Sequence, residues 1–243
     1  MTASLAQLDP VQRIFVAIDK MSFADAHADV ARLRARAGGL KLGLEFFLAN
    51  GPQGVRAVAG PTPLFLDLKL HDIPNTVAGG VRSAALLGPR FLTIHTAGGE
   101  AMMRAAAESA KAAGSSRPRL LGITVLTSLD DGDLTAVGQR GPVADQAKRL
   151  SALAQRSGLD GVVCSAREVA ALRRECGSEF LLVVPGIRPT WAVSDDQKRI
   201  VTPAEAVACG ADYLVIGRPI TRSDDPAAAL ERIAGEIAGV ARR

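Results

Sequence analysis

An eightfold alternation of two sequence patterns constrains the fold of this chain more than any other feature. Short runs of β-branched and apolar residues alternate with Ala-rich and Arg-rich segments of helical period. The runs predict strands at 14–19, 40–43, 64–69, 91–95, 120–125, 161–164, 181–184 and 213–216. Because the runs are mostly apolar, we expect both faces of each strand to be buried, as in a parallel sheet covered by helices.

Eight consecutive βα units in a chain of 243 residues predict a closed (β/α)8 TIM barrel with parallel strands. We expect residues 1–243 to form a single catalytic domain, because α/β barrels of this length fold as one domain. An open, doubly wound sheet is the competing fold, but no GxGxxG motif follows the first strand. Residues 185–201 form the one long connection, and long loops of this kind are often functional lids.

Charge and composition favour a small anionic ligand over nucleic acid. The chain has 29 basic and 25 acidic residues, a formal charge of +4, and its basic residues are scattered in short groups. With one Trp, one Tyr and seven Phe, there is no interleaving of aromatic and basic residues of the kind that stacks bases. We therefore expect no nucleic-acid partner.

Cysteine usage and hydropathy predict a cytoplasmic protein that does not enter a membrane. The cysteines Cys164, Cys176 and Cys209 lie far apart and form no CxxC pair, which argues against a disulfide framework or a zinc knuckle. The first ten residues lack the pattern of a signal peptide. No stretch approaches about 18 uninterrupted apolar residues.

The predicted strands end in polar residues, which matters because barrel active sites lie at the carboxyl ends of the strands. Asp67 and Lys69 are two residues apart, so on an extended strand both side chains point to the same face. Lys41 and Asp72 would add one charge of each sign. The alternative is a buried salt-bridge network that only fixes strand register.

The run Asp-Leu-Lys-Leu-His-Asp-Ile-Pro-Asn-Thr at 67–76, with Lys41 upstream, resembles the DxKxxDIPNT signature of the orotidine 5′-phosphate decarboxylase family. The resemblance covers roughly residues 11–229 and includes VLTS at 125–128, DGVVCS at 160–165, PGIRP at 185–189, Gln197 and IGRP at 216–219. Leu70 stands where many members carry an aromatic residue, a difference expected to alter packing more than chemistry. No catalytic position departs from the signature.

The resemblance implies an enzyme that converts orotidine 5′-phosphate to UMP and CO2, the last step of de novo pyrimidine nucleotide biosynthesis. It implies that Lys69 donates a proton to ring carbon 6, while Asp67, Lys41 and Asp72 complete an alternating charge array. Asp72 would reach the site of a neighbouring subunit, so a homodimer with shared active sites is expected. Loss of CO2 leaves negative charge on a ring carbon, which fixed cations can stabilise.

The resemblance also assigns the substrate-binding residues: Asp19, Lys41, Asp67, Thr76, Thr127, Arg188, Gln197, Gly217 and Arg218. Asp19 and Thr76 would contact the sugar, and Thr127 would lie near the base. Gly217 permits close backbone approach to a phosphate, and Arg218 can bind its oxygens bidentately. Each of three of these residues, considered alone, also has a structural interpretation. Asp19 could belong to a turn, Arg218 could be a solvated loop residue, and Thr76 could start a helix.

Two alternative functions remain open from the sequence. A magnesium-dependent sugar-phosphate decarboxylase or aldolase of the same superfamily shares a DxKxxD motif, but a lysine at position 41 would repel the metal. The second alternative is a catalytically silent barrel that only binds a nucleotide phosphate, because a fold does not by itself establish a catalysed reaction. We expect no metal and no organic cofactor. His71 and His95 have no partner at metal-ligand spacing and are expected to form structural hydrogen bonds.

Overall fold

The computed structural model describes residues 8–33, 36–192 and 201–240. Eight strands form a closed barrel in chain order, and neighbouring strands pair in parallel. The strands are β1 Ile14–Ile18, β2 Gly39–Gly43, β3 Leu64–Leu70, β4 Phe91–His95, β5 Arg119–Ile123, β6 Gly161–Val163, β7 Leu181–Pro185 and β8 Tyr213–Ile216. The predicted (β/α)8 barrel is confirmed, and the open-sheet alternative is wrong.

Helices separate the strands along the chain. They are α1 Phe23–Leu33, α2 Leu44–Ala59, α3 Pro74–Ala85, α4 Gly99–Ala112, α5 Asp131–Ala136, α6 Val143–Arg156, α7 Val169–Cys176, α8 Pro203–Ala208, α9 Arg218–Thr221 and α10 Pro226–Ile237. Proline begins α3, α8 and α10, because a proline in the first turn loses no intrahelical hydrogen bond. Among the described residues, no helix is long and apolar enough to span a membrane.

The observed bounds of β4 and β8 match the predicted ones, and those of the other six strands differ by one or two residues. β1 ends at Ile18, so Asp19 follows the strand, and β3 continues to Leu70. β5 ends at Ile123 although the apolar run continues to Val125. Val125 packs against Leu134 of α5 instead, so its apolar character reflects helix packing rather than strand pairing.

The described chain divides into two compact units. The first contains the described residues up to Asp67 and from Val184 onward, and the second is Leu68–Val183. The expectation of a single domain over residues 1–243 stays a prediction.

In the first unit, an aromatic layer fills the space beneath the polar strand ends. Phe15 makes edge contacts with Phe65 and Tyr213, with ring centroids 5.7 and 5.9 Å apart. Gly39 is the register partner of Phe15, and a Cβ on Gly39 would lie 2.3 Å from that ring. Phe15 and Ala17 share a face of β1 because strand side chains alternate, so the packed layer supports the end of the strand beside Asp19.

In the second unit, side-chain hydrogen bonds hold neighbouring elements together. Ser109 of α4 donates to the carbonyl of Ala78 in α3 at 2.8 Å. Thr96, directly after β4, is buried and donates to the carbonyl of Ile123 at 2.6 Å. The carboxyl ends of β4 and β5 are therefore held together where His95 lies opposite Ile123 in the sheet register.

Candidate active site

Lys41 lies between two carboxylates in the first unit. Its Nζ is 3.1 Å from Oδ1 of Asp19 and 3.8 Å from Oδ2 of Asp67. The side chains of Lys41 and Asp67 are 12% and 13% exposed, whereas that of Asp19 is 67% exposed. A sheltered ammonium needs such partners because desolvation disfavours isolated charge. Asp19 at the rim also keeps carboxylate oxygens accessible to a ligand.

The sheet register explains this cluster. Lys41 pairs with Ala17 of β1 and with Phe65 of β3, and Gly43 pairs with Asp67. A Cβ at Gly43 would lie 3.4 Å from the Lys41 Nζ, so the glycine, which has no Cβ, keeps that side of the ammonium open. Three adjacent parallel strands thus bring their carboxyl-terminal charges together, as predicted for a barrel.

A cavity of about 200 Å3 opens beside Asp19 and Lys41. Its other walls come from Pro185 to Arg188 after β7 and from the junction of β8 with α9; they are Ala17, Pro185, Gly186, Ile187, Arg188, Val215, Gly217, Arg218 and Pro219. Two arginines and one lysine face this space together with one carboxylate. The cavity therefore has the charge to bind an anionic group and an acceptor for hydroxyl groups.

Gly217 lets β8 lead directly into Arg218 next to β1. A Cβ at Gly217 would lie 3.3 Å from the Cβ of Ala17 and 3.6 Å from Oδ2 of Asp19. The Gly217 carbonyl accepts the amides of Ile220 and Thr221 at 2.9 and 3.0 Å, which turns the chain immediately into α9. Arg218 is consequently exposed at the mouth of the cavity rather than extended along the sheet.

A second cavity, of about 420 Å3, shares Arg188, Arg218 and Pro219 with the first and adds Trp191 and Arg222 to its lining. The indole of Trp191 donates to Oε1 of Glu236 at 2.7 Å, and the Arg232 guanidinium lies 4.6 Å from the centre of an indole ring. α10 therefore anchors the segment that follows Arg188. Gln197, the other predicted phosphate ligand on this connection, lies outside the described residues, as do positions 193–200.

Lys69 lies in β3, in the second unit, with a left-handed backbone. Its φ is 50°, and within the described ranges it is the only residue other than glycine with positive φ. Its amide donates to Oγ1 of Thr93 in β4 at 2.9 Å. The prediction that Asp67 and Lys69 share a face assumed an extended strand, and this premise does not hold at Lys69. That shared face stays a prediction.

The other predicted residues of the second unit lie on exposed backbone beyond the strand ends. Asp72 accepts the Ile73 amide at 2.6 Å, and Ile73 is 66% exposed. Thr76 lies in the first turn of α3, in agreement with its expected place at a helix start. Thr127 is exposed in the turn after β5. The segment carrying Asp72 thus presents both charge and apolar surface to solvent.

His71 and His95 stack with ring centroids 5.1 Å apart. Burial lowers the pKa of His95, and the charges of His71 and Lys69 lower it further. Nδ1 of His95 accepts the Ala97 amide at 3.4 Å, a structural hydrogen bond of the kind expected. A Cβ at Gly98 would lie 2.2 Å from Sδ of Met102 and 3.1 Å from the His71 ring, so this glycine makes room chiefly for Met102.

Of the predicted site residues, Asp19, Lys41 and Asp67 form one cluster, and a common cavity joins Asp19 and Lys41 to Arg188, Gly217 and Arg218. Sequence reasoning missed Thr93 and Trp191. Thr93 gives no sequence signal, because a β-branched residue in an apolar run indicates only a strand. Trp191 is the single tryptophan and stands three residues after Arg188, a position that could have drawn attention to it.

A family model described as "Orotidine 5'-phosphate decarboxylase / HUMPS family" matches residues 12–233. A relative from Rhodospirillum rubrum, named orotidine 5′-phosphate decarboxylase, is 57% identical over 232 residues, which cover 93% of this chain and 94% of the relative. A relative of the same name from Paramagnetospirillum magneticum is 54% identical over 232 residues, covering 93% and 99% of the two chains.

Solved structures share the fold. A crystal structure of an uncharacterized conserved protein from Geobacillus kaustophilus matches with a TM-score of 0.82 at 37% identity, covering 92% of this chain and 99% of the other. The crystal structure of orotidine 5′-phosphate decarboxylase from Lactobacillus acidophilus matches with a TM-score of 0.79 at 37% identity, covering 93% and 99%.

Proposed function

This chain belongs to the orotidine 5′-phosphate decarboxylase / HUMPS family, and from that premise we propose that it converts orotidine 5′-phosphate to UMP and CO2 in pyrimidine nucleotide biosynthesis. The observation that carries the proposal is the Lys41 ammonium held between Asp19 and Asp67 beside a cavity with two arginines. This arrangement suits a substrate with ribose hydroxyls at one end and a phosphate at the other.

The proposed reaction breaks the bond between ring carbon 6 and the carboxylate. The electron pair stays on carbon 6 as CO2 leaves, and the Lys69 ammonium transfers a proton to that carbon. An ammonium already in place stabilises the developing charge without reorganisation of solvent. Lys41, Asp67 and Asp72 complete the charge array by resemblance to the family. Asp67 would face the departing carboxylate, and its effect on the bound ground state is secondary in this scheme.

Different residues are proposed to bind the ribose, the base and the phosphate of the substrate. Asp19 and Thr76 would bind the ribose and Thr127 the region of the base. Arg188 and Arg218 line the small cavity, which supports their assignment to the phosphate. Phosphate binding distant from the reacting carbon can supply energy for orienting the base. Gln197 is assigned to the phosphate by family resemblance alone.

The proposed working unit is a cytoplasmic homodimer with shared sites and no metal or organic cofactor. Asp72 supports the shared site because it is exposed, lies three residues beyond Lys69 and is followed by the exposed apolar side chain of Ile73. A second subunit that covered this segment would bury apolar surface as well as receive a carboxylate.

The magnesium-dependent alternative is disfavoured by Lys41. An ammonium 3.8 Å from the Asp67 carboxylate occupies the place and supplies the charge that a bound cation would bring there. Within the described residues, no group of three His, Cys, Asp or Glu side chains is arranged to hold a metal ion. The silent binding barrel is distinguished from the enzyme only by an assay.

The proposal is tested by incubating purified protein with orotidine 5′-phosphate and EDTA while following the pyrimidine absorbance. We expect conversion to UMP at a rate that chelation does not change. Activity that appears only after magnesium is added would favour the metal-dependent alternative. Tight UMP binding without any turnover would favour the silent barrel.

A further inference from the structure

The backbone amide of Lys69 is bonded to a side chain rather than left to solvent. It donates to Oγ1 of Thr93 at 2.9 Å, and Thr93 is fully buried in β4. Lys69 is half-buried, so its amide is partly shielded from solvent and gains from an acceptor, which here is a hydroxyl on a β-branched side chain with few rotamers. Thr93 is itself fixed, because β4 pairs with β5 in a register that places Thr93 opposite Leu121.

The conformation of Lys69 makes this bond consequential. Its φ of 50° lies in the left-handed region, which a residue with a Cβ occupies only when its surroundings hold it there. The direction of the Cα–Cβ bond relative to the strand depends on that φ. Relaxation to an extended conformation would therefore turn the Lys69 side chain away from its present direction.

A second contact ties the same two strand ends together. His71, two residues after Lys69, stacks on His95, two residues after Thr93, with ring centroids 5.1 Å apart. The chain is thus held against β4 both at Lys69 and just beyond it. The Thr93 hydroxyl accepts the Lys69 amide itself, whereas the histidine stack holds the chain two residues further on.

We propose that Thr93 is a positioning residue for Lys69: its buried hydroxyl accepts the Lys69 amide and holds the left-handed backbone that directs the ammonium toward the reacting carbon. The inference rests on the proposed function and extends it to a residue outside the DxKxxDIPNT run. Thr93 touches neither substrate nor the reacting atoms in this scheme, so it acts on the orientation of Lys69 and not on binding.

The test compares Thr93→Val, which keeps the shape and removes the acceptor, with Thr93→Ser, which keeps the hydroxyl. Thr124→Val is the matched control, because Thr124 is also buried at a strand end and its hydroxyl bonds the Val163 carbonyl at 3.1 Å. For each variant we would measure kcat and KM for orotidine 5′-phosphate, inhibition by UMP and thermal unfolding.

For Thr93→Val we expect kcat to fall by about ten- to a hundredfold, the range produced by misplacing a reacting group by roughly 1 Å, with KM and UMP inhibition little changed. Thr93→Ser and Thr124→Val should stay near the wild-type kcat. If wild-type protein is active and Thr93→Val keeps its kcat, the positioning role is wrong. A Thr93→Ser variant as impaired as Thr93→Val would also overturn it, even if Thr93→Val fails to fold. Inactive wild-type protein would instead refute the proposed function.

Discussion

Lys69 combines a left-handed backbone with a position inside β3, where extended residues are the rule. For a residue with a Cβ, this conformation costs about 1–2 kcal/mol relative to the right-handed regions. Glycine has no such cost. Strain of this kind persists where the surrounding structure holds it, and it concentrates at functional sites. The left-handed backbone of Lys69 therefore indicates that this end of β3 serves a function as well as the stability of the fold.

The strain predicts a reversed stability ranking at this position. Lys69→Gly should be more stable than Lys69→Ala by about 1 kcal/mol, because only glycine adopts the left-handed conformation without cost. In an ordinary strand, glycine is the less stable of the two by about 0.5–1 kcal/mol. Urea unfolding of both variants measures the difference. An alanine variant at least as stable as the glycine variant would show that the backbone at this position is not left-handed.

His95 predicts a pH dependence of folding stability. Burial, followed by the charges of His71 and Lys69, lowers its pKa below the ordinary value of 6.5. Below that value the unfolded chain binds a proton that the folded chain does not, so stability falls as the pH decreases from 6.5 through the lowered folded-state pKa. The free energy of unfolding in urea should decrease less between about pH 7.5 and about pH 5.5 for His95→Gln than for wild type. Equal decreases would show that His95 is not the source of the pH dependence.

At the scale of elements, strand ends were predictable and their connections were not. Asp19 at the end of one apolar run, Lys41 within the next and Arg218 after the last marked where the barrel would present polar groups, because burial of both strand faces leaves a strong sequence signal. The backbone of Lys69 left no signal, since its run alternates regularly and contains no glycine. The anchoring of Trp191 on α10 depends on packing between elements distant in sequence, which a local pattern does not encode.

The junction of β8 with α9 predicts a substrate-dependent effect of Arg218. Arg218→Ala should lower kcat/KM strongly for orotidine 5′-phosphate and much less for the nucleoside that lacks the phosphate. Arg104→Ala is the control, because Arg104 is an exposed arginine of α4 that lines neither cavity. Equal losses for both substrates would show that Arg218 does not act on the phosphate.

At the scale of the whole molecule, the barrel was predictable because its pattern is repeated eight times, so an error in one strand bound leaves the fold unchanged. The oligomeric state is harder to predict from a sequence pattern. The exposed segment from His71 to Thr76 carries Asp72 and the apolar Ile73, and its neighbours in a dimer would come from another chain. Intermolecular contacts leave no periodic trace in a single sequence.

A shared-site dimer makes a quantitative prediction. Lys69→Ala and Asp72→Ala proteins should each be inactive. In a mixed dimer, however, one site carries both substitutions and the other site carries neither. Random subunit exchange should then restore about a quarter of wild-type activity, since about half of the dimers are mixed and each has one intact site of two. With exchange verified by differently tagged subunits, activity that remains at the level of the separate mutants would place Asp72 in the site of its own chain.

The turnover of Lys69→Ala on saturating orotidine 5′-phosphate tests most directly whether this chain is a decarboxylase that works through Lys69. The control is Lys111→Ala, which removes an exposed lysine in the last turn of α4. We expect wild type and Lys111→Ala to form UMP at similar rates, and Lys69→Ala to fold but show no turnover above background. Retention of about a tenth of wild-type turnover by Lys69→Ala, a barrier change of only about 1.4 kcal/mol, would contradict a central role for Lys69.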